Sequence, residues 1–275
     1  MIKEIRYKLY LFKEKLKKIF KEKEMPNGWF GNYASWELAE KECNGYDSAT
    51  ILDKVRESVL KVRNGEAVYE RDSVLFNEIQ YSEDLINSFK KSIINDTLHV
   101  VDFGGSLGST YFQHKQVFNY IKILKWSVVE QKHFVDCGKK EIEIDNLKFY
   151  STVDEALNHQ TNQVLLLSSV IPYFKEPYKL IADLLKYNFE YIIVDRTAFL
   201  ESEHERITKQ IVPEFIYKAS YPAWFLNERK FINAFNNHYD LVFDFMSVFD
   251  PVDVLKDGVR VYRKGFYFKK RKEDA

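Results

Sequence analysis

From Leu98 onward, short apolar runs alternate with stretches of helical spacing, and this alternation limits what the chain can fold into more than any other feature. The runs are LHVVDF, KWSVVE, LKFYS, NQVLLLSS and YIIVDRT. Between them, residues 108–123, residues 132–141 and the segments TVDEALNH and PYKLIADLLKYN carry helical patterns. Apolar strands separated by helices require a parallel sheet covered on both faces. The pattern predicts an α/β fold with a mostly parallel, Rossmann-like sheet. After Thr197 a long irregular section leads to a helix over NERKFINAFNNH. YDLVFDFMSVF and RVYRKGFYFKK then read as an antiparallel hairpin that closes the sheet.

The first 95 residues read differently. In residues 1–24, Ile2, Ile5, Leu9, Phe12, Leu16 and Phe20 recur at helical spacing among eight lysines, one arginine and four glutamates. Such a basic amphipathic helix either packs one face on its own domain or lies on an anionic membrane surface. Pro26, Asn27 and Gly28 end it. The block from Trp29 to Ser92 reads as mainly helical, with helix starts near Ser35, Ser48 and Ser82. The expected division is a helical cap or accessory region over 1–95 and a ligand-binding sheet domain over 96–275.

A chain of 275 residues that is 45% hydrophobic can bury a substantial core. Its 41 basic and 41 acidic side chains cancel, so overall charge favours no polyanionic partner, nucleic acid included. Cys43 and Cys137 are isolated from each other and from any metal-binding spacing, which predicts neither a disulfide nor a zinc site. There is no secretory pattern and no run of about 18 apolar residues. A cytoplasmic protein is expected, with peripheral contact at the inner membrane face through residues 1–24 as the variant.

The stretch VVDFGGSLGS marks the ligand site. Asp102 ends the first strand of the sheet, and Gly104, Gly105 and Gly108 form a turn before the next helix. Ligands of open α/β sheets bind beyond the carboxyl ends of strands, where the strand order switches. The turn is not a phosphate-binding P-loop, because Ser109 stands where lysine would be needed. It is not a dinucleotide GxGxxG either, since Ser106 and Leu107 occupy the required glycine positions. What fits is D-x-G-x-S-x-G over Asp102, Gly104, Ser106 and Gly108. The next strand ends in Glu130, placed to accept hydrogen bonds from both ribose hydroxyls of an adenosine, or else merely facing solvent. Ser168 and Ser169 end the fourth strand and line the cleft floor or cap the turn that follows.

The D-x-G-x-S-x-G turn resembles the first motif of class I S-adenosylmethionine-dependent methyltransferases, with Ser106 replacing the middle glycine. The segments GWFGNYASWELA, GYDSATILDKV, YERDSVLF, VVDFGGSLGSTYFQ, LKWSVVEQ, LLLSSVIPYFKEPY, IIVDRTAF and YKASYPAWFLNE together resemble a family of bacterial methyltransferases. That family is associated with genes for lipopolysaccharide and other surface polysaccharides. The resemblance runs from about Gly28 to the last strand. It implies a class I methyltransferase sheet with an antiparallel C-terminal strand and S-adenosylmethionine as cofactor. The cofactor residues implied are Asp102, Gly104, Gly105, Ser106, Gly108, Glu130, Ser168 and Ser169. The implied acceptor is a small-molecule or lipid-linked saccharide or saccharide precursor, and Val170, Pro172 and Tyr173 would flank the methyl-transfer site.

A hydroxyl acceptor needs its proton removed by a group within hydrogen-bond reach. Asp195 or His204 is the expected base, and Arg196 the residue that orients a polar acceptor. The alternative is an Asp195–Arg196 structural ion pair and a surface His204. His114, His133 and His159 are expected on exposed helix or loop. The aromatic segments YERDSVLF, GWFGNYASW and YKASYPAWF form either a lid on the acceptor pocket or packing between layers. SSVIPY lacks the acidic-Pro-Pro-aromatic pattern of base amino-group methylation, which favours an oxygen acceptor. Two other functions remain. One is a binding subunit on a degenerate methyltransferase fold. The other is a Rossmann nucleotide-sugar oxidoreductase, disfavoured because Tyr217 and Lys218 are adjacent rather than four apart.

Overall fold

The computed structural model describes residues 27–45, 48–158, 163–249 and 251–272. The basic segment expected over residues 1–24 lies outside them, as does His159. The five apolar runs form strands β4 (Thr97–Phe103), β5 (Ile123–Val129), β6 (Leu147–Tyr150), β7 (Val164–Ser168) and β8 (Tyr191–Leu200). Neighbours within the order β6-β5-β4-β7-β8 all pair in parallel. Beyond β8 come β13 (Arg260–Lys270) and β11 (Tyr239–Met246), with the short β12 (Val252–Val254) also on β13. β13 runs antiparallel to all three of its partners. A mostly parallel sheet with a reversed C-terminal strand is the architecture expected from the sequence.

Both faces of this sheet are buried, which explains why its strands read as unbroken apolar runs. Leu98, Val100, Val164, Leu166 and Ile193 point to one core. Val101, Leu165, Leu167, Ile192 and Val194 point to the other. The first core is covered by α2 (Ser48–Arg63), α3 (Glu83–Lys91), α4 (Ser109–His114) and α5 (Lys132–Glu141). α6 (Val153–Leu157), α7 (Pro177–Leu185) and α8 (Glu228–Asn233) cover the second. Ser82 caps α3 by accepting the Leu85 N–H, and Thr152 caps α6 by accepting the Glu155 N–H. Val55, Val59, Leu85 and Phe89 therefore belong to the main core, and the helices of the N-terminal region are one layer of the sheet domain.

Two expectations are corrected. The block from Trp29 to Ser92 is mainly helical, as expected, but strands do not first begin at Leu98: it also contains β1 (Gly28–Tyr33) and a hairpin of β2 (Tyr69–Arg71) and β3 (Val74–Phe76). The section after Thr197 is not irregular. β8 continues to Leu200, and β9 (Arg206–Ile211) and β10 (Ser220–Phe225) follow. With β1 they make an antiparallel sheet in the order β1-β9-β10. This sheet draws on both sides of residue 95 and packs through α1 (Trp36–Lys41), where Trp36 stacks on Trp224 at 6.3 Å. These strands escaped the sequence reading because they are short, half-exposed and paired with distant segments. The expected helix over 108–123 is likewise only α4, followed by turns.

Candidate functional site

The chain leaves β4 for β5 and β6 on one side and returns through β7 and β8 on the other, so the strand order switches at β4. At that point a cleft of about 720 Å³ opens over the carboxyl ends of β4, β5, β7 and β8. Asp102, Gly104, Gly105, Ser106, Glu130, Ser168, Ser169, Asp195 and Arg196 all line it. Gly108 and His204 do not.

Asp102 is almost fully buried at the end of β4, where its Oδ2 accepts the indole N–H of Trp126 at 2.9 Å. Burial pushes its pKa up to about 7, against the hydrogen bond from Trp126. The turn wraps over this carboxyl group. A Cβ on Gly105 would lie 2.5 Å from Asp102 Cγ, so only glycine fits. At Gly104, φ is +73° and a Cβ would lie 2.3 Å from Val170 Cγ2, in the loop after β7. Ser106 has φ +54°, a left-handed conformation that a glycine takes without strain. The serine in the middle of the motif therefore preserves the backbone shape. Gly108, with φ +84°, closes the turn by donating its N–H to Gly105 O at 2.9 Å.

Glu130 stands half-buried at the end of β5. Burial raises its pKa, while the backbone N–H groups of Gln131 and Ser106 favour its charged form. The Gln131 bond is 2.6 Å long. Glu130 is thus tied to the glycine turn itself. On the other side of the cleft, Ser168 Oγ donates to Asp195 Oδ2 at 3.0 Å, and the Ser169 N–H donates to Asp195 O at 2.9 Å. Asp195 is 5% exposed, and burial raises its pKa despite the neighbouring Arg196 and the Ser168 hydroxyl. Arg196 Nε lies 3.7 Å from Asp195 Oδ2, and its Nη1 lies 3.4 Å from Asp72 Oδ2. Burial opposes its charge, but Asp72 and Asp195 more than offset this and hold its pKa above the ordinary value.

His204 is exposed in the turn between β8 and β9, where its N–H donates to Ser202 Oγ. β8 continues past its last pairing with β7 at Asp195, stays paired with β13 to Leu200, and the turn that follows contributes nothing to the cleft lining. The structure therefore does not bring His204 together with Asp195 and Arg196. His114 is corrected as well: it is fully buried between Tyr81 and Phe89, and burial pushes its pKa down to about 4.

The opposite wall comes from elements outside the parallel sheet. The three aromatic segments do meet here, through Trp36, Tyr69, Tyr217 and Tyr221, with Tyr173 and Phe174 beside them. Tyr173 packs edge-on against Tyr221 at 5.4 Å and donates its hydroxyl to Gln210 Oε1. The β2–β3 hairpin contributes Glu70 and Asp72. Both loop residues of this hairpin, Asp72 and Ser73, have positive φ, as a two-residue turn of this hand requires. That turn carries Asp72 to Arg196. The segment YERDSVLF stands out in the sequence for its aromatics, but Glu70 and Asp72 could not be assigned from it, because the contact with Arg196 spans 124 positions.

Among the described residues lining the cleft, six side chains are acidic (Glu40, Glu70, Asp72, Asp102, Glu130, Asp195) and two are basic (Arg71, Arg196). Arg71 is occupied over the rings of Phe76 and Phe249. A cleft of this charge suits a cationic ligand and opposes a pyrophosphate.

No protein-family model and no curated protein sequence matches the chain. Solved structures do resemble it in fold. YcgJ from Bacillus subtilis is 9% identical over 71% of this chain and 100% of its own, with a TM-score of 0.44. The N-terminal domain of EvdMO1, solved with SAH bound, is 14% identical over 82% of this chain and 98% of its own, with a TM-score of 0.45. The MccD protein is 12% identical over 69% and 97%, with a TM-score of 0.44. At these values no ligand or activity transfers from those proteins to this chain.

Proposed function

We propose that this chain is an S-adenosylmethionine-dependent methyltransferase. One observation carries the reading. The turn over Asp102 is tied through Ser106 to Glu130, in a cleft where carboxylates outnumber guanidinium groups. A ribose diol needs a paired acceptor at the end of β5, and a sulfonium cation needs a cleft without a phosphate site. The residues fit both: Gly104 and Gly105 leave no room for a Cβ where the backbone turns, and the lining is acidic. Bound there, the cofactor supplies an electrophilic methyl carbon.

The chain's own residues then have to hold an acceptor in line with that carbon and exclude water. We assign the acceptor side to the aromatic wall of Tyr173, Tyr217 and Tyr221, whose rings suit sugar faces. Arg196 orients a polar acceptor, and Asp195 takes the hydroxyl proton. Burial raises the pKa of Asp195 and makes it a stronger base than an ordinary carboxylate. The proposed reaction is O-methylation of a saccharide or a lipid-linked saccharide precursor, in keeping with the family that the sequence resembles. Peripheral attachment through residues 1–24 belongs to the same proposal, and sedimentation of the full chain with anionic vesicles tests it.

The deciding experiment is calorimetric titration with S-adenosylmethionine, S-adenosylhomocysteine, NAD and NADP, on wild type and Glu130→Ala. Micromolar binding of the first two, lost in the variant, supports the reading. Binding of a nicotinamide nucleotide alone overturns it. Cofactor binding without turnover on any saccharide acceptor favours the binding-subunit alternative.

A further inference from the structure

The carboxylates of the cleft are not equivalent. Asp102 has the Trp126 indole, Glu130 has two backbone N–H groups, Asp195 has Ser168, and Asp72 has Arg196. Glu70 differs from these four in that one of its two oxygens lacks a partner. It is 3% exposed, its Oε2 accepts the Ser73 N–H at 3.2 Å, and its Oε1 is buried without a hydrogen-bond partner among the described residues. Burial raises its pKa to about 7, although the nearby Ser109 hydroxyl and the Ser73 N–H favour its charge. A buried acceptor without a donor is costly, and because Glu70 lines the cleft, a donor brought by a bound ligand would relieve that cost once the side chain turns toward it.

Its position selects the ligand group. Glu130 is close enough to raise the pKa of Asp102, whereas the charges acting on Glu70 are those of Asp72 and Arg196. Glu130 marks the β5 end of the cleft, and Glu70 reaches the cleft from the β2–β3 hairpin, which also carries the Asp72 that contacts Arg196. A cofactor whose ribose sits on Glu130 sends its amino-acid tail away from that end. The tail carries the one primary ammonium of the molecule. Charge-assisted hydrogen bonds between ammonium and carboxylate are short and strong, more so in a cleft walled from water.

We propose that Glu70, supplied by the β2–β3 hairpin, receives the α-ammonium group of the cofactor's methionine moiety. This rests on the cofactor assignment above. It gives the hairpin a function outside the parallel sheet: cofactor binding draws Glu70 and the Asp72–Arg196 contact together and holds the hairpin over the cleft. Glu70 is then a specificity residue for the amino-acid tail and takes no part in proton transfer.

The test compares wild type with Glu70→Gln in calorimetric titrations of S-adenosylhomocysteine and of 5′-methylthioadenosine, which keeps the adenosine and lacks the amino-acid tail. The expected result is a loss of roughly 10- to 100-fold in affinity for S-adenosylhomocysteine with affinity for 5′-methylthioadenosine unchanged. The unchanged ligand also reports that the variant is folded. Equal losses for both ligands overturn the proposal, and so does unchanged affinity for both accompanied by slower turnover, which would make Glu70 the base. If wild type binds neither ligand, it is the cofactor assignment that fails.

Discussion

At the scale of single residues, the site depends on what lies beneath a glycine. Gly105→Ala forces a methyl group against the Asp102 carboxyl, which is itself held by Trp126 and cannot retreat. We expect a loss of about 1–3 kcal/mol in stability, read from thermal melts, together with loss of cofactor binding. Ser106→Gly should keep binding within a few-fold, because the position already has φ +54° and the Ser106 N–H that faces Glu130 remains. Asp102 and Glu70 set a pH dependence. Each is pushed up to about 7, so the folded chain holds protons that the unfolded chain releases near pH 4. Stability of the ligand-free protein should therefore fall as pH rises from about 4 to about 7, by about 3 kcal/mol for each group. Denaturant melts across that range check this, and Asp102→Asn should flatten the slope.

At the scale of elements, the β2–β3 hairpin raises the question of what holds it down. The visible tie is Asp72 to Arg196, but the Asp72 side chain is 64% exposed and the separation is 3.4 Å. A pair of that kind contributes about 0–1 kcal/mol. Tyr69, by contrast, is 3% exposed and stacks on Phe76 at 5.6 Å. Tyr69→Ala should cost about 3 kcal/mol, whereas Asp72→Ala should change stability by less than about 1 kcal/mol. Hydrogen exchange over residues 69–76 separates the two. Faster exchange in Asp72→Ala equal to that in Tyr69→Ala would show that the ion pair is the anchor.

At the scale of the whole molecule, the chain is closed by its last strand. β13 pairs with β8, β11 and β12, and its Phe266 and Phe268 are fully buried in the second core. Removal of residues 259–275 would expose the edge of β8 and leave β11 without a partner. Such a chain should lose its cooperative thermal transition, as followed by circular dichroism, even though every residue of the cofactor turn is retained. A transition with an unchanged midpoint would show that β4–β8 with their helices suffice.

The parallel strands, both covering layers and the ligand edge were legible in the sequence because their signal is local. Four to six apolar residues between helical stretches report a strand buried on both faces, and Gly104, Gly105 and Gly108 report a tight turn. Glu130 was legible for the same reason, as the last residue of such a run. The small sheet of β1, β9 and β10 was not, since Gly28–Tyr33 becomes a strand only by pairing with Arg206–Ile211, about 180 positions away. Nor was the environment of each charge. Nothing local distinguishes Glu70, buried with an unpaired oxygen, from the exposed His204. Burial and partners belong to the assembled chain, and they decided which of its acids and histidines face the cleft.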